Sequence, residues 1–412
     1  MTTCRICGNE LKHTFCDLGM SPMANSYLTA TQLAEPEIYY PLHTYVCSEC
    51  LLVQLPVYES PEEIFGEYLY FSSYSQYWLD HARDYVHAAI ADFEMTERDQ
   101  VVEIASNDGY LLQYFVSMGI PVLGVEPAAN VAEVAMNKGI PTRVGFFGAE
   151  MAAQLVDEGV QADLLIGNNV FAHVPDLNDF VAGMATVLAP DGRVTLEFPH
   201  LYRLIRSNQF DTIYHEHFSY YSLLTATTAL ERHGLKVFDV EELPTHGGSL
   251  RIYACRSTST RYEVSPRVAD LRLREAAAGL HTLEGHLGYA MQVADVKQDL
   301  LEFLVHARRR GASVVAYGAP AKGNTLLNYC GIRQDLIEYT VDRSPHKQGH
   351  FLPGTHLPIY DPNRIRETRP DYVVILPWNL RDEIMREMAY VHDWGGQFVV
   401  PIPALEVIGS PR

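Results

Sequence analysis

The sequence predicts an α/β protein in which a doubly wound sheet fills the middle of the chain, behind a small metal-binding segment and ahead of a second α/β segment. Three observations predict it: two C-x2-C pairs near the N-terminus, a strand–turn–helix opening at Val101–Phe115 that continues as further strand–helix units, and the return of that alternation beyond residue 312. The 412 residues, 47% hydrophobic and 11% aromatic, suit about three buried cores, read as residues 1–75, 76–260 and 261–412. Such a composition excludes a disordered or fibrous chain. With 31 Lys and Arg against 51 Asp and Glu, the net charge of −20 repels polyphosphates and anionic membranes, which argues against nucleic acid as a partner. No apolar run reaches the roughly 18 residues of a membrane helix, and MTTCRICGNE has no secretory apolar stretch, so a soluble, cytoplasmic protein is expected.

The first element is the cysteine framework. Cys4/Cys7 and Cys47/Cys50 form the two pairs, while Cys16, Cys255 and Cys330 follow no pattern. Two residues between thiols allow a tight knuckle that aims both sulfurs at one ion, and two knuckles complete a closed Cys4 zinc site with no position left for water. A thioredoxin-like redox pair lacks its strand–CxxC–helix setting here, and an iron–sulfur centre stays open as the other occupant. The insertion of about 40 residues between knuckles holds His13, Cys16 and His43, ranked below the four paired cysteines as ligands. LLVQLP then reads as a short strand, and the aromatic stretch Glu63–Trp78 carries Tyr68, Tyr70, Ser72, Ser73, Tyr74 and Ser75. Two readings compete for that stretch, a hydrophobic linker and a hydroxyl-lined cleft wall in which Ser73 meets substrate.

VVEIASNDGYLLQYF opens the central sheet, running from a β-branched strand through a polar turn into an amphipathic helix. A dinucleotide fingerprint requires G-x-G-x-x-G there, and Ser106, Asn107 and Asp108 occupy that turn instead, crowding a pyrophosphate. With Glu103 at its entrance and Gly109 at its end, the turn resembles the first motif of class I methyltransferases, whose cofactor S-adenosylmethionine has no phosphate to cradle. IPVLGVEP ends in Glu126, an acid about twenty residues on, suited to two ribose hydroxyls. GIPTRVGFF, the helix near Ala149–Val156 and ADLLIGNNVFAHVPD continue the alternation. They place Asn168, Asn169 and His173 at strand C-termini, where ligands of such sheets lie.

LNDFVAGMATVLAPDG reads as a helix and RVTLEFP as a strand, followed by FDTIYHEHFSYYS, which concentrates Tyr214, His215, Glu216, His217, Tyr220 and Tyr221. HEHFS fails the H-E-x-x-H test, because position 219 is Ser, so a cluster of acid and base groups is the better reading; histidines that merely satisfy loop backbone are the alternative. LKVFDVEELPTHGGSLRIYACR reads as an antiparallel pair around a glycine turn edged by His246, Ser249 and Arg251, where glycine either bends the hairpin or admits substrate. Beyond Arg256, a helix through Val293, Val296, Leu300 and Leu304 stops at HARRRG. A Rossmann-like α/β segment follows, from ASVVAYGAPAKGNTLLNYCG to QFVVPIP. Its loop GAPAKGNT lacks the Walker GK[ST], yet opens a helix with Lys322 and Asn324 where a diphosphate could sit; a tight turn with one exposed lysine is the competing reading. Asp342, Arg343, His346 and Lys347 are open in the same way.

The Cys4 knuckles, EYLYFSSYS, EIASNDG, GVEP, NNVFAHV, YHEHFSYYS and THGGSLR together resemble the NDP-sugar C-methyltransferases of branched deoxysugar formation, such as the dTDP-4-keto-deoxyhexose 3-C-methyltransferases, over nearly the whole chain. The resemblance implies a zinc-binding domain, a class I methyltransferase domain that binds S-adenosylmethionine, and a C-terminal α/β domain that helps hold the nucleotide-sugar. It implies His217 as the base that takes the proton beside a C4 ketone, Glu216 and Tyr214 orienting it or the sugar, and His173 as a donor to the developing oxyanion. Tyr68 and Tyr70 are rivals for a tyrosine from the first domain. The cofactor contacts are Glu103, Ser106, Asn107, Gly109, Glu126, Asn168 and Asn169. The substrate contacts are Ser73, His215, His246, Ser249, Arg251, Lys322, Asn324 and Lys347, in a monomer or small homo-oligomer. A sugar N- or O-methyltransferase, a zinc-bearing RNA methyltransferase and a nicotinamide-dependent oxidoreductase are the rival functions.

Overall fold

The computed structural model describes residues 2–61, 63 and 71–409. The chain forms two compact units, each assembled from separate stretches: Met1–Leu11, Cys47–His200 and Phe218–Leu283 make the first, and Lys12–Val46, Leu201–His217 and Glu284–Arg412 make the second.

The first unit is built on a seven-stranded sheet. Across it run Leu235–Leu243, Ser249–Arg256, Leu188–Pro199, Ala162–Asn168, Val101–Ile104, Val122–Glu126 and Thr142–Val144. Counted in chain order within the sheet, this is 6-7-5-4-1-2-3, parallel except for Ser249–Arg256, which pairs antiparallel on both sides. It is the expected doubly wound, class I methyltransferase sheet. Strand order reverses between Val101–Ile104 and Ala162–Asn168, and the crevice beyond their carboxyl ends is where such sheets bind ligands. Val101–Ile104 is buried at every position, as a strand covered on both faces must be. The helix Gln76–Asp92 starts at Ser75, whose side chain accepts from the Trp78 amide, and buries Trp78, Ala82, Tyr85, Val86 and Ala89 along one stripe against Leu111 and Phe115.

One expected boundary moves. The helix read through APDG ends at Val187, and Leu188–Pro199 is strand. Pro190 has no amide to continue a helical ladder and disfavours helical backbone at Ala189.

The second unit contains a hairpin, His13–Ser21 against Tyr40–Val46, and a six-stranded sheet. That sheet runs Ile359–Tyr360, Thr340–Val341, Val314–Tyr317, Tyr372–Ile375, Gln397–Val400 and Glu406–Ile408, parallel until the last strand, in the order 3-2-1-4-5-6 expected of a Rossmann-like segment. The helix Tyr289–Arg309 buries Tyr289, Val293, Val296, Leu300 and Leu304, with Phe15 stacked on Tyr289 at 4.8 Å. The histidine-rich segment is held in this unit: Phe210 packs on Tyr329, and Thr325 Oγ1 donates to the Ile213 carbonyl at 3.2 Å. Among the described residues, no helix is long and apolar enough to cross a membrane.

Candidate active site and metal centre

The two knuckles fold alike. The Gly8 amide returns to the Cys4 carbonyl at 2.9 Å and the Leu51 amide to the Cys47 carbonyl at 3.0 Å, with φ of +78° at Gly8 and +64° at Leu51. The turns bring the four Sγ atoms of Cys4, Cys7, Cys47 and Cys50 within 4.8 Å of one another. Zn–S bonds of about 2.3 Å in a tetrahedron require edges of about 3.8 Å, so this donor set fits zinc. Among the described residues the cluster contains no His13, Cys16 or His43; His43 Nε2 instead meets Thr14 Oγ1 at 2.8 Å. Gln54 Nε2 donates to Cys4 Sγ at 3.3 Å, supporting a thiolate from outside the cluster. Arg5, inside the first knuckle, donates to the carbonyls of Leu55, Pro175 and Phe218 at 2.6, 3.2 and 3.0 Å. The knuckle thus clasps the loop that carries His173.

The turn after Val101–Ile104 gathers buried acceptors. Ala105 and Asn107 take φ of +55° and +50° where glycine is usual, and Gly109, at +75°, has Ile140 Cδ1 only 2.2 Å from where a Cβ would lie. Ser72 and Ser73 cover the turn: the Ser72 amide donates to Asn107 Oδ1 at 2.8 Å, and Ser73 Oγ donates to Asp108 Oδ2. Glu126 is anchored by the Asn107 and Ala128 amides, both at 2.9 Å, one on each oxygen, which leaves lone pairs for two hydroxyls. Glu103 is 1% exposed, and both its oxygens lack a partner. Burial first, then Glu126 and Asp108, push its carboxyl well above the usual range. Ser106 Oγ, Asn168 Oδ1 and Asn169 Oδ1 are likewise buried without partners. Orphaned acceptors beside three carboxylates fit the sulfonium, amino group and ribose of S-adenosylmethionine, which supplies an electrophilic methyl when bound.

In the second unit, the loop Asp211–His217 gathers buried titratable side chains. His217 Nδ1 lies 2.9 Å from the Thr212 carbonyl, which can only accept, so the neutral ring carries its proton on Nδ1. Its Nε2 then presents a lone pair, with Tyr214 Oη donating to it from 2.8 Å. Glu216 is buried, accepts from Asn25 Nδ2 at 2.6 Å, and is pushed by burial up to about 7. His215 packs edge-on to Tyr40 and is driven down to about 4 by burial, so it is neutral near pH 7. Tyr27 Oη and Lys347 Nζ both donate to the Ala319 carbonyl, at 2.7 and 2.9 Å, beside the GAPAKGNT turn. Lys322 donates to Asn379 Oδ1 and lies 4.6 Å from the Trp378 ring centre, while the side-chain Oδ1 and Nδ2 of Asn324 are buried without a partner.

The remaining residues singled out by sequence lie in the first unit. His173 ends a short 3-10 turn after Asn169. Ser249 Oγ donates to the Thr245 carbonyl, and His246, at φ +54°, stands edge-on to Trp78. Arg251, expected to meet substrate, donates to Glu197 at 2.7 Å and to Glu241 at 3.0 Å, and lies over Tyr85. Burial opposes ionisation of Glu197, yet the bond from His81 and the charge of Arg251 hold its carboxyl at about 2. Tyr68 and Tyr70 lie outside the described residues. Sequence reading missed Asn25, Tyr27 and His81, polar residues in stretches without a motif, and passed over Asp211 inside the histidine-rich segment itself.

Family models match three consecutive stretches: a zinc binding domain at residues 4–65, a methyltransferase domain at 77–240 and a C-methyltransferase C-terminal domain at 244–403. The C-methyltransferase NovU of Streptomyces niveus is 36% identical over 407 residues, 99% of this chain and 97% of its own. A ubiquinone biosynthesis O-methyltransferase of Bartonella bacilliformis is 28% identical over 94 residues, 23% of this chain and 38% of its own. Magnesium protoporphyrin IX methyltransferase from Synechocystis PCC 6803, solved with its cofactor, aligns over 43% of this chain and 79% of its own, with 17% identity and a TM-score of 0.33.

Proposed function

The chain belongs to the S-adenosylmethionine-dependent C-methyltransferases with an N-terminal zinc-binding domain, and from that premise we propose that it methylates a nucleotide-linked 4-keto-deoxyhexose, in the cytoplasm, at a carbon beside the ketone, C3 in our reading. The observation that carries the reading is the fixed tautomer of His217, whose Nε2 lone pair is the feature a carbon acid needs. A C4 ketone acidifies the neighbouring C–H. His217 Nε2 takes that proton and the electron pair moves into an enolate with its charge mostly on O4; S-adenosylmethionine, held by Glu103 and Glu126, would supply the methyl group, its methyl–sulfur bond breaking as the carbon–carbon bond forms and the sulfur leaving as a neutral thioether.

Tyr214, whose O–H already points at the base, hands its hydrogen bond to the substrate when the proton is taken up, and His173 supports O4. Glu216, poised near neutrality, stabilises the imidazolium that results. Glu126 holds the cofactor's ribose, Glu103 its cationic end, and Asn168 and Asn169 offer further acceptors. Lys347 and the helix opening at Ala321 suit the diphosphate. The zinc is structural, because four thiolates close its coordination.

The test is product analysis with S-adenosylmethionine and a panel of dTDP-4-keto-hexoses. A mass gain of one methyl with its NMR signal on a ring carbon supports the proposal. A methyl on oxygen or nitrogen, or no transfer to any member, refutes it.

A further inference from the structure

Asp211 has no place in the reaction as described, yet it is fully buried next to the turn that orients His217. Its Oδ2 accepts the indole N–H of Trp378 at 2.7 Å, and Lys322 lies close enough for each charge to favour the other. Lys322 also lies over the Trp378 ring and donates to Asn379, so the indole that bonds the carboxylate and the lysine that faces it are themselves held together. Trp378 and Asn379 follow the strand Tyr372–Ile375, and Lys322 opens the helix Ala321–Cys330.

The next residue is the one His217 relies on. The Thr212 carbonyl receives the Nδ1 proton, while the Thr212 amide and hydroxyl both donate to the Gln209 carbonyl, at 3.0 and 2.7 Å. The turn is closed locally, and it is attached to the rest of the unit by the Asp211 carboxylate, by Thr325, which donates to the Ile213 carbonyl, and by Phe210 packed on Tyr329. We propose that Asp211, bonded to Trp378, is a positioning residue that fixes the Thr212 carbonyl and thereby the direction and tautomer of His217. The inference rests on His217 being the base. Burial raises Asp211 to about 7 and lowers Lys322 to about 8, so the charge of each depends on its neighbour.

The experiment compares Asp211→Ala, Asp211→Asn and Trp378→Phe in the full chain, with a dTDP-4-keto-hexose that the wild type turns over. A base displaced by about 1 Å loses on the order of 100-fold in rate. Asp211→Ala and Trp378→Phe should therefore lower kcat by about 10- to 100-fold, with KM for the sugar and cofactor affinity changed less than about threefold. Asp211→Asn, whose amide oxygen still accepts the indole N–H, should recover kcat to within about threefold. Wild-type kcat in folded Asp211→Ala, or parallel losses of cofactor affinity and kcat, would overturn the inference. Should Asp211→Ala fail to fold, Trp378→Phe and Asp211→Asn decide by the same criteria. His217→Asn separates the premise: retained turnover there removes the base assignment, whereas its loss beside an unaffected Asp211→Ala removes the positioning role alone.

Discussion

Calorimetric titration of S-adenosylmethionine into the protein at several pH values reads the charge state of Glu103. In the free protein its two oxygens are buried without a partner, and burial, Glu126 and Asp108 together keep it protonated well above the ordinary carboxyl range. A sulfonium or ammonium placed beside it favours the carboxylate, so binding expels the proton. The sign follows from linkage: an acid whose free-state pKa is raised and whose complex is ionised gives affinity that rises with pH and levels off above the free-state pKa. Below that point the slope approaches one proton, about 1.4 kcal/mol or tenfold in Kd per pH unit. Below the raised free-state pKa of Glu103, and where the cofactor's own amine is charged, Kd should fall as pH rises, and buffers of different ionisation enthalpy should report net proton release on binding. Glu103→Gln keeps the shape, should bind more weakly and should lose the pH slope. A flat Kd without proton release in the wild type, or an unchanged slope in Glu103→Gln, refutes the reasoning.

Three further outcomes are expected. Glu126→Ala should weaken cofactor binding by roughly 10- to 100-fold in the same calorimeter, because it removes the diol acceptor and frees two turn amides. Glu216 is ionised at a cost above its unfolded pKa, so its stabilising effect is full at low pH and disappears as pH rises through about 7. Urea unfolding should accordingly find Glu216→Gln more stable than the wild type by about 3 kcal/mol near pH 8, shrinking below about 1 kcal/mol near pH 5. Chelation or Cys47→Ser should release one zinc per chain by atomic absorption, lower the melting temperature and speed proteolysis near residues 171–175, which Arg5 holds through Pro175.

What the sequence made legible was local or periodic. C-x2-C spacing dictates knuckle geometry within five residues, and the run Val101–Ile104 followed by a polar turn states a buried strand and its helix. Glu126 could be placed because a strand end about twenty residues past the turn is a fixed feature of such sheets. Other features depend on contacts that spacing does not encode. The bonds from Asn25 to Glu216 and from Trp378 to Asp211 span 191 and 167 residues. Arg251 looked available for substrate because Glu197 and Glu241, which engage it, become its neighbours only when three strands pair. Lys322 was open between a diphosphate ligand and one exposed lysine on a tight turn, and its contacts with Trp378 and Asn379, more than fifty residues away, are not encoded in that loop. The positive φ at Ala105 could not be read either, since alanine ordinarily avoids that region and only the folded turn imposes it.

The central claim, carbon-acid chemistry at His217, is tested most directly without cofactor. A dTDP-4-keto-hexose that the wild type methylates is incubated with protein in deuterium oxide, and the proton beside the ketone is followed by NMR. The wild type should replace that proton with deuterium, and His217→Asn, folded and still able to bind S-adenosylmethionine, should leave it in place. Exchange by His217→Asn at the wild-type rate would contradict the account.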